Sequence, residues 1–183
     1  MYWVVALFDE KTEQRIEEIW KGLSDNNISF YGEEIKDGRP HLTLGSYSEL
    51  AEHEFIRLMD EFYTGRRSFD ITFNAIGTFL NYKTLFLSPT LTKELSDFHT
   101  HHHKHFRDFN STANTYYLPG EWIPHCTLAN KVSNEKLSQA FNFCLERQQT
   151  LHGKVTEIAL IKLIEEKGGI IDAPIIYSKR LNG

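Results

Sequence analysis

Hydrophobic residues along the first half of the chain alternate between the spacing of strands and the spacing of helices. Ile16, Ile19, Trp20 and Leu23 follow at i, i+3, i+4 and i+7, which places one apolar stripe on a helix. The full pattern predicts, in chain order, a buried strand at 2–8, a helix at 10–24, a strand at 28–35, a turn at 36–38, an extended segment at 39–45 and a helix from Leu50 to Phe62.

The second half of the chain shows the same kinds of signal. Thr92 and Ser133 each precede an amphipathic stretch and are suited to cap a helix. The elements predicted are a hairpin of strands 69–80 and 83–88 around Asn81-Tyr82, a helix after Thr92, a loop at 110–120, an extended segment at 123–128, a helix after Ser133, and a second hairpin of strands 151–164 and 170–178 around a turn at 165–169.

One segment of the sequence occurs twice. Pro-His-Leu-Thr-Leu at 40–44 returns as Pro-His-Cys-Thr-Leu at 124–128, and helix, strand, turn and strand follow each copy. The offset is 84 residues, the difference between positions 41 and 125. We therefore expect one α+β domain over residues 1–183, built as two pseudo-symmetric lobes of antiparallel sheet backed by helices around a central cleft.

Composition narrows the function classes. The chain has 183 residues, 40% of them hydrophobic, which is enough for a packed core and excludes intrinsic disorder. No apolar run approaches the roughly 18 residues of a membrane span, and the N-terminal segment lacks the features of a signal peptide. The two cysteines, Cys126 and Cys144, suit a reducing cytosol. We expect a cytoplasmic monomer with no membrane association and no obligate protein partner.

Net charge limits the nucleic acids that the protein could bind. The chain carries −5 at neutral pH and shows no basic stripe of the kind that coats long nucleic acids. A nucleic-acid end or a small nucleotide stays possible, because a local pocket needs only a few cationic groups.

The repeated motif presents the same two side chains each time. Residues i and i+2 of a strand point to the same face, so His41 lies beside Thr43 and His125 beside Thr127. The intervening residues point the other way, toward the core. Two such units across a pseudo-two-fold axis would bring two imidazoles and two hydroxyls to one cleft. The alternative is a pair of edge-strand histidines that share no site.

Two imidazoles suit the cleavage of a phosphodiester. With an unperturbed pKa of about 6.5, one imidazole can be neutral while the other is charged. The neutral one takes a proton from the attacking oxygen, and the charged one protonates the leaving oxygen. The two threonine hydroxyls can hold the non-bridging oxygens. This chemistry requires no metal and no other cofactor.

The motifs at 41–44 and 125–128 resemble the paired signatures of the 2H phosphoesterase superfamily, and the chain is most similar there to bacterial and archaeal 2′-5′ RNA ligase-like proteins. The resemblance covers essentially the whole chain. It implies a bilobal fold with a central cleft, and cyclic phosphodiesterase or reversible 2′-5′ ligase activity on RNA ends without metal or nucleotide cofactor. It also implies that His41, Thr43, His125 and Thr127 are catalytic. RNA 3′ ends or small cyclic nucleotides are the substrates it suggests.

Three further residues are candidates for binding substrate. Phe79 follows Gly77-Thr78, where relatives often place an aromatic ring that can stack on a base, although a core phenylalanine explains it equally well. Lys162 either reaches a phosphate or points to solvent. Tyr177 either lines the cleft or packs on the core.

Five of the nine histidines lie between positions 99 and 105. On a helix, His99 with His103 and His101 with His105 form i, i+4 pairs that could bind Zn²⁺ or Ni²⁺. The pattern favours a solvated helix face with His102 against the core. Two other functions stay open: a non-catalytic module that binds a nucleotide or RNA end, and a metal-dependent hydrolase that uses this helix.

Overall fold

The protein is described here by a computed structural model that covers residues 1–36, 38–165 and 171–183. Within these ranges the chain forms five α-helices: α1 (Glu10–Asp25), α2 (Tyr31–Glu34), α3 (Glu52–Tyr63), α4 (Lys93–His105) and α5 (Asn134–Arg147). The same residues form ten strands: β1 (Tyr2–Phe8), β2 (Ile35–Lys36), β3 (His41–Tyr47), β4 (Phe69–Thr78), β5 (Leu85–Pro89), β6 (Cys126–Ala129), β7 (Leu151–Lys162), β8 (Ile164–Glu165), β9 (Ile171–Asp172) and β10 (Ile175–Arg180). Among the helices in these ranges, none is long and apolar enough to cross a membrane.

Seven strands form one antiparallel sheet in the order β3-β1-β7-β4-β5-β6, and β10 also pairs with β7. The long strand β7 links the two parts of the sheet, because its residues 151–155 pair with β4 and its residues 155–162 pair with β1. The two expected halves therefore share a continuous strand. The strands that carry the repeated motif, β3 and β6, end the order on opposite sides.

Several predicted elements are confirmed. Thr92 Oγ1 accepts a hydrogen bond from Leu95 N at 3.1 Å, and Ser133 Oγ accepts one from Lys136 N at 3.2 Å, so both caps are present. Both predicted hairpins form, between β4 and β5 and between β7 and β10. Position 37 of the first predicted turn, positions 166–169 of the second and position 170 of the predicted strand 170–178 lie outside the described residues.

The strand predicted over 28–35 is wrong. The segment instead forms the short helix α2 and the two-residue strand β2, which pairs in parallel with β9. Its contacts with α1 explain the difference. The ring of Tyr31 meets Trp20 edge-on at 5.7 Å, and a Cβ at Gly32 would come within 2.9 Å of the Trp20 Cβ. Tertiary packing on Trp20 therefore overrides the local preference for a strand.

Both faces of the centre of the sheet are buried. The larger cluster, under α3 and α4, includes Val4, Ala6 and Leu160, while Val5 and Leu7 belong to a smaller cluster on the other face. Strand β1 therefore has no solvent-facing side, which agrees with its continuous apolar sequence.

A histidine lies inside the larger core. His102 is fully buried, its Nδ1 lies 2.7 Å from the hydroxyl of Tyr63, and its Nε2 lies 3.0 Å from the hydroxyl of Tyr47. A neutral imidazole donates with one nitrogen and accepts with the other, so the two tyrosines satisfy it completely. Burial holds the pKa of His102 well below its usual value. Burial likewise lowers the pKa of His99, which is 2% exposed, to about 4.

These two histidines predict a loss of stability in acid. The unfolded chain takes up a proton at each of them as the pH falls below about 6.5, whereas the folded protein resists protonation until about pH 4 at His99 and to well below the usual range at His102. Urea unfolding from pH 7.5 to pH 4.5 should therefore show stability falling below pH 6.5, by up to about 1.4 kcal/mol per pH unit for each histidine.

Matched variants separate the buried histidines from other titrating groups. His99→Leu should flatten this pH dependence even if it lowers overall stability, while the exposed His101→Gln on the same helix should leave it unchanged. An equally steep dependence in His99→Leu and in the wild type would contradict the assignment to His99.

Candidate functional site

The two copies of the motif take the same local structure. His41 opens β3, and His125 directly precedes β6. Leu42 and Leu44, and correspondingly Cys126 and Leu128, are buried in the core, as the alternation predicts. His125 and Thr127 are partly buried, whereas Thr43 is only 7% exposed.

Each motif strand contains a bulge at the same position. In the pairing of β1 with β3, Val4 lies opposite Gly45 and Val5 opposite Thr43, so Leu44 is an extra residue without a partner. In the pairing of β5 with β6, Leu85 lies opposite Ala129 and Phe86 opposite Thr127, which leaves Leu128 as the extra residue. A bulge bends its strand and changes the direction of adjacent side chains. Each bulge therefore affects the direction of the threonine side chain that precedes it.

Both imidazoles are held by the same contact. Nδ1 of His41 lies 2.7 Å from the carbonyl oxygen of Arg39, and Nδ1 of His125 lies 2.8 Å from that of Ile123. A carbonyl can only accept, so Nδ1 carries the proton in each ring. In the neutral form each Nε2 therefore keeps its lone pair, and in the charged form it carries a proton that it can give away.

The two motifs lie against each other. The indole N–H of Trp122, three residues before His125, donates to the carbonyl oxygen of Thr43 at 2.9 Å. The indole N–H of Trp20, on α1, donates to the carbonyl oxygen of Thr127 at 3.0 Å. Burial raises the pKa of the Cys126 thiol to about 12, opposed by the backbone N–H of His41, which the thiol contacts.

Burial lowers the pKa of both His41 and His125, and the backbone carbonyl that each ring contacts opposes the shift. The charge of His125 lowers the pKa of His41 further. Near neutral pH both imidazoles are mainly neutral in the free protein, and an anion between them would favour protonation.

Aromatic rings flank the two imidazoles. Phe79 meets His125 edge-on with ring centroids 4.8 Å apart, and Phe86 lies 5.3 Å from the same ring. Gly77 makes this arrangement possible, because a Cβ there would come within 2.6 Å of the Phe86 ring. On the other side, Trp3 lies 6.0 Å from His41.

The structure does not bring Lys162 and Tyr177 to the imidazoles. Lys162 Nζ lies 2.5 Å from Glu52 Oε1, and the Tyr177 hydroxyl donates to Asp60 Oδ1 at 2.8 Å. Both carboxylates belong to α3, which covers the larger core, whereas His41 and Thr43 lie opposite Leu7 and Val5 on the other face. The strand register therefore separates these two candidates from the motif, while Phe79 lies beside it.

A partly buried ion network supports the first motif. Arg39 donates to both oxygens of Glu13, at 2.9 and 3.0 Å, and to Glu157 at 3.2 Å. The pKa of Arg39 is raised because the hydrogen bonds and charges of these carboxylates outweigh its burial. The network fixes the residue whose carbonyl orients His41.

The histidine-rich helix differs from the expected solvated face. His99 and His103 are both 2% exposed, and Nε2 of each lies within 3.1 Å of the carbonyl oxygen of Leu44. Strand β3 ends the sheet order, so it has an open edge on which this carbonyl can accept two N–H groups. His101 and His105 are exposed and His102 is in the core, as expected. The described residues contain no group of three or more metal-ligating side chains.

Sequence reasoning missed Trp3, Trp20, Phe86, Arg39 and Trp122. Arg39 and Trp122 lie near the two motif histidines in the sequence, which could have marked them as part of the site. Their contacts, however, are with residues more than 20 positions away. The positions of Trp3 and Phe86 depend on strand pairing, which the sequence pattern does not specify.

Residues 8–166 match the sequence model of the 2′-5′ RNA ligase superfamily. This match covers most of the chain, and the protein belongs to that superfamily of 2H phosphoesterases. No curated protein matches it by sequence.

Solved structures share the fold at low identity. Escherichia coli LigT in its apo form is 16% identical, with a TM-score of 0.66, and the match covers 100% of this chain and 97% of LigT. A crystal structure described as that of a phosphoesterase is 15% identical, with a TM-score of 0.66 and coverage of 100% and 98%. The protein TT0787 of Thermus thermophilus is 15% identical, with a TM-score of 0.61 and coverage of 100% and 98%. The mixed α+β architecture is therefore that of the LigT-like 2H phosphoesterase fold.

The ion network predicts a stability difference between two arginines. Arg39→Ala leaves the largely buried Glu13 without its partner and should lower the free energy of unfolding by about 1–3 kcal/mol. Arg15 forms an exposed pair with Glu18, so Arg15→Ala should change it by less than about 0.5 kcal/mol. Urea unfolding at pH 7.5 measures both, and equal losses would contradict a supporting role for the network.

Proposed function

We propose that the protein is a metal-independent phosphoesterase that acts on 2′,3′-cyclic phosphate ends of RNA or nucleotides, or on 2′-5′ phosphodiester linkages, with His41 and His125 as acid and base. The observation that carries the proposal is the matched tautomer of the two rings. Each Nδ1–H donates to a backbone carbonyl, which reserves each Nε2 for proton transfer.

The proposed reaction balances with these two groups alone. The neutral imidazole takes a proton from water at Nε2, and the water oxygen forms a bond to phosphorus. The bond from phosphorus to one ribose oxygen breaks, and the charged imidazole gives its Nε2 proton to that oxygen. The products are a phosphomonoester and a free hydroxyl. When the hydroxyl of a second chain replaces water as the nucleophile, the same steps open the cyclic phosphate and join the two ends through a phosphodiester. The hydroxyls of Thr43 and Thr127 stabilise the charge that develops on the non-bridging oxygens.

The ligands of the structural neighbour support this class of substrate. Structures of Escherichia coli LigT, 14–16% identical to this chain, hold phosphate, 3′-AMP, ATP or NADP⁺, all of which contain phosphate groups. The ring of Phe79, beside His125, is suited to stack on a nucleobase next to the scissile phosphate. We assign no role in substrate binding to Lys162 or Tyr177, since carboxylates of α3 occupy both.

Hydrolysis of an oligonucleotide with a 2′,3′-cyclic phosphate end, measured in EDTA, tests the proposal. We expect turnover by the wild type, and we expect His41→Ala and His125→Ala each to lower it by about 10²–10⁴-fold, the usual contribution of a general acid or base. Thr43→Ala and Thr127→Ala should cost about 10- to 150-fold, because each removes one hydrogen bond to a charged group.

His53→Ala is the matched control for these variants, since His53 is exposed on α3 and touches neither motif. Melting curves of all variants confirm folding. Wild-type turnover by His125→Ala would overturn the mechanism, and tight binding of the oligonucleotide without cleavage would favour a binding module. Turnover that EDTA abolishes and Zn²⁺ restores would indicate a metal-dependent hydrolase.

The pKa values of the two imidazoles predict the pH dependence of the reaction. The mechanism needs one ring charged and one neutral, and burial holds both pKa values below 6.5 in the free protein. The profile of kcat/KM should therefore be bell-shaped with its maximum below pH 6.5. The kcat profile should move to higher pH, because bound phosphate favours the charged imidazole. A maximum of kcat/KM above pH 7 would contradict this assignment.

A further inference from the structure

The carbonyl group of Leu44 receives an unusual pair of hydrogen bonds. Nε2 of His99 and of His103 lie 3.1 and 2.9 Å from its oxygen, and Nε2 of His99 also lies 2.8 Å from the carbonyl oxygen of Tyr117. A carbonyl oxygen has two lone pairs, so the Leu44 oxygen can accept from both imidazoles, with the single N–H of His99 shared between Leu44 and Tyr117. Leu44 directly follows Thr43. The two donors therefore hold the peptide between Leu44 and Gly45, which constrains the backbone next to Thr43.

The same helix also contacts the segment that leads into the second motif. The ring of His99 stacks on Trp122 with centroids 3.8 Å apart and planes 5° from parallel. Trp122 lies three residues before His125, and its indole N–H donates to the Thr43 carbonyl. Asn110 in turn contacts His103 twice, at its Nδ1 and at its backbone carbonyl. His99 therefore contacts both sides of the junction between the motifs.

Filling the core does not explain these contacts. A leucine or phenylalanine would occupy the same volume without the cost of burying a polar ring. The imidazoles differ from such apolar side chains because they make directional contacts. Both approach the Leu44 oxygen through Nε2, and the ring of His99 stacks on that of Trp122.

We propose that His99 and His103 are positioning residues for the reaction at the paired motifs, acting through the bulged Leu44 carbonyl on Thr43 and, through Trp122, on the approach to His125. This inference rests on the proposed function. Neither imidazole touches the substrate, and a displacement of about 1 Å at a reacting group can cost roughly 100-fold in rate.

A double-mutant cycle provides a test that a purely structural role would not pass. His103→Leu should lower kcat in the cleavage of the cyclic phosphate by about 10- to 100-fold at a temperature at which it is fully folded, with a smaller change in KM. In a Thr43→Ala background the same change should cost less than about threefold, because the hydroxyl that it positions is gone. In a Thr127→Ala background it should keep most of its effect.

Three single variants separate the two kinds of contact. His103→Gln retains an N–H donor near the place of Nε2 and should recover much of the activity that His103→Leu loses. His99→Phe retains a ring to stack on Trp122 but removes the N–H that Leu44 and Tyr117 share, so it should fall between the wild type and His103→Leu. His101→Gln, exposed on the same helix, should match the wild type.

The outcomes separate this inference from the proposed function. A wild-type protein without turnover rejects the proposed function and this inference with it. Turnover by the wild type with equal losses in the Thr43→Ala and Thr127→Ala backgrounds rejects the positioning role alone. A lower melting temperature with unchanged kcat in His103→Leu also rejects it. If His103→Leu does not fold, the same cycle is run with His99→Phe and read in the same way.

Discussion

Two indole hydrogen bonds hold the candidate site together. Strands β3 and β6 lie at opposite ends of the sheet order, so no backbone ladder joins them. The carbonyl groups of Thr43 and Thr127 instead accept from Trp122 and Trp20. Each bond ends on the backbone of a motif threonine, and each indole belongs to a different element. The separation of the two motifs therefore depends on the packing of large aromatic side chains. Such packing holds the motifs more rigidly than a loop would.

The pseudo-symmetry of the site is exact in some features and absent in others. The contact from Nδ1 to the carbonyl two residues earlier and the bulge at the fourth motif residue occur in both copies. The indole donors are not related by the repeat, since Trp20 lies on a helix and Trp122 in the segment before β6. The same is true of the imidazoles that meet Leu44. Each copy of the motif therefore presents the same two side chains in the same way. The contacts that hold the two copies in place, by contrast, come from unrelated elements.

The sequence predicted the parts of the site that depend on local periodicity. Alternation along a strand was enough to place His41 beside Thr43 on one face and Leu42 on the other, and capping residues placed α4 and α5. Lys162 shows the limit of this reasoning. Its strand is buried on both faces, so alternation does not say which face meets the site, and the pairing of Tyr2 with Lys162 decides it. The inward turn of His99 and His103 depends on the carbonyl groups of Leu44 and Tyr117, which are distant from the two histidines in the sequence.

The histidines that support the site and the histidines of the proposed reaction need different protonation states. Burial lowers the pKa of His99 and His102 in the core and of His41 and His125 at the junction of the motifs. The proposed reaction needs one of the latter pair charged, which favours mildly acidic solution or an anion bound between them. The fold needs His99 and His102 neutral, so its stability falls as the solution becomes acidic. In the proposed mechanism, a phosphate bound between His41 and His125 resolves this conflict, because its negative charge favours protonation of these two rings without a change in bulk pH. The substrate of the proposed reaction would therefore supply the charge that activates the site, while the core histidines stay neutral and keep β3 in place.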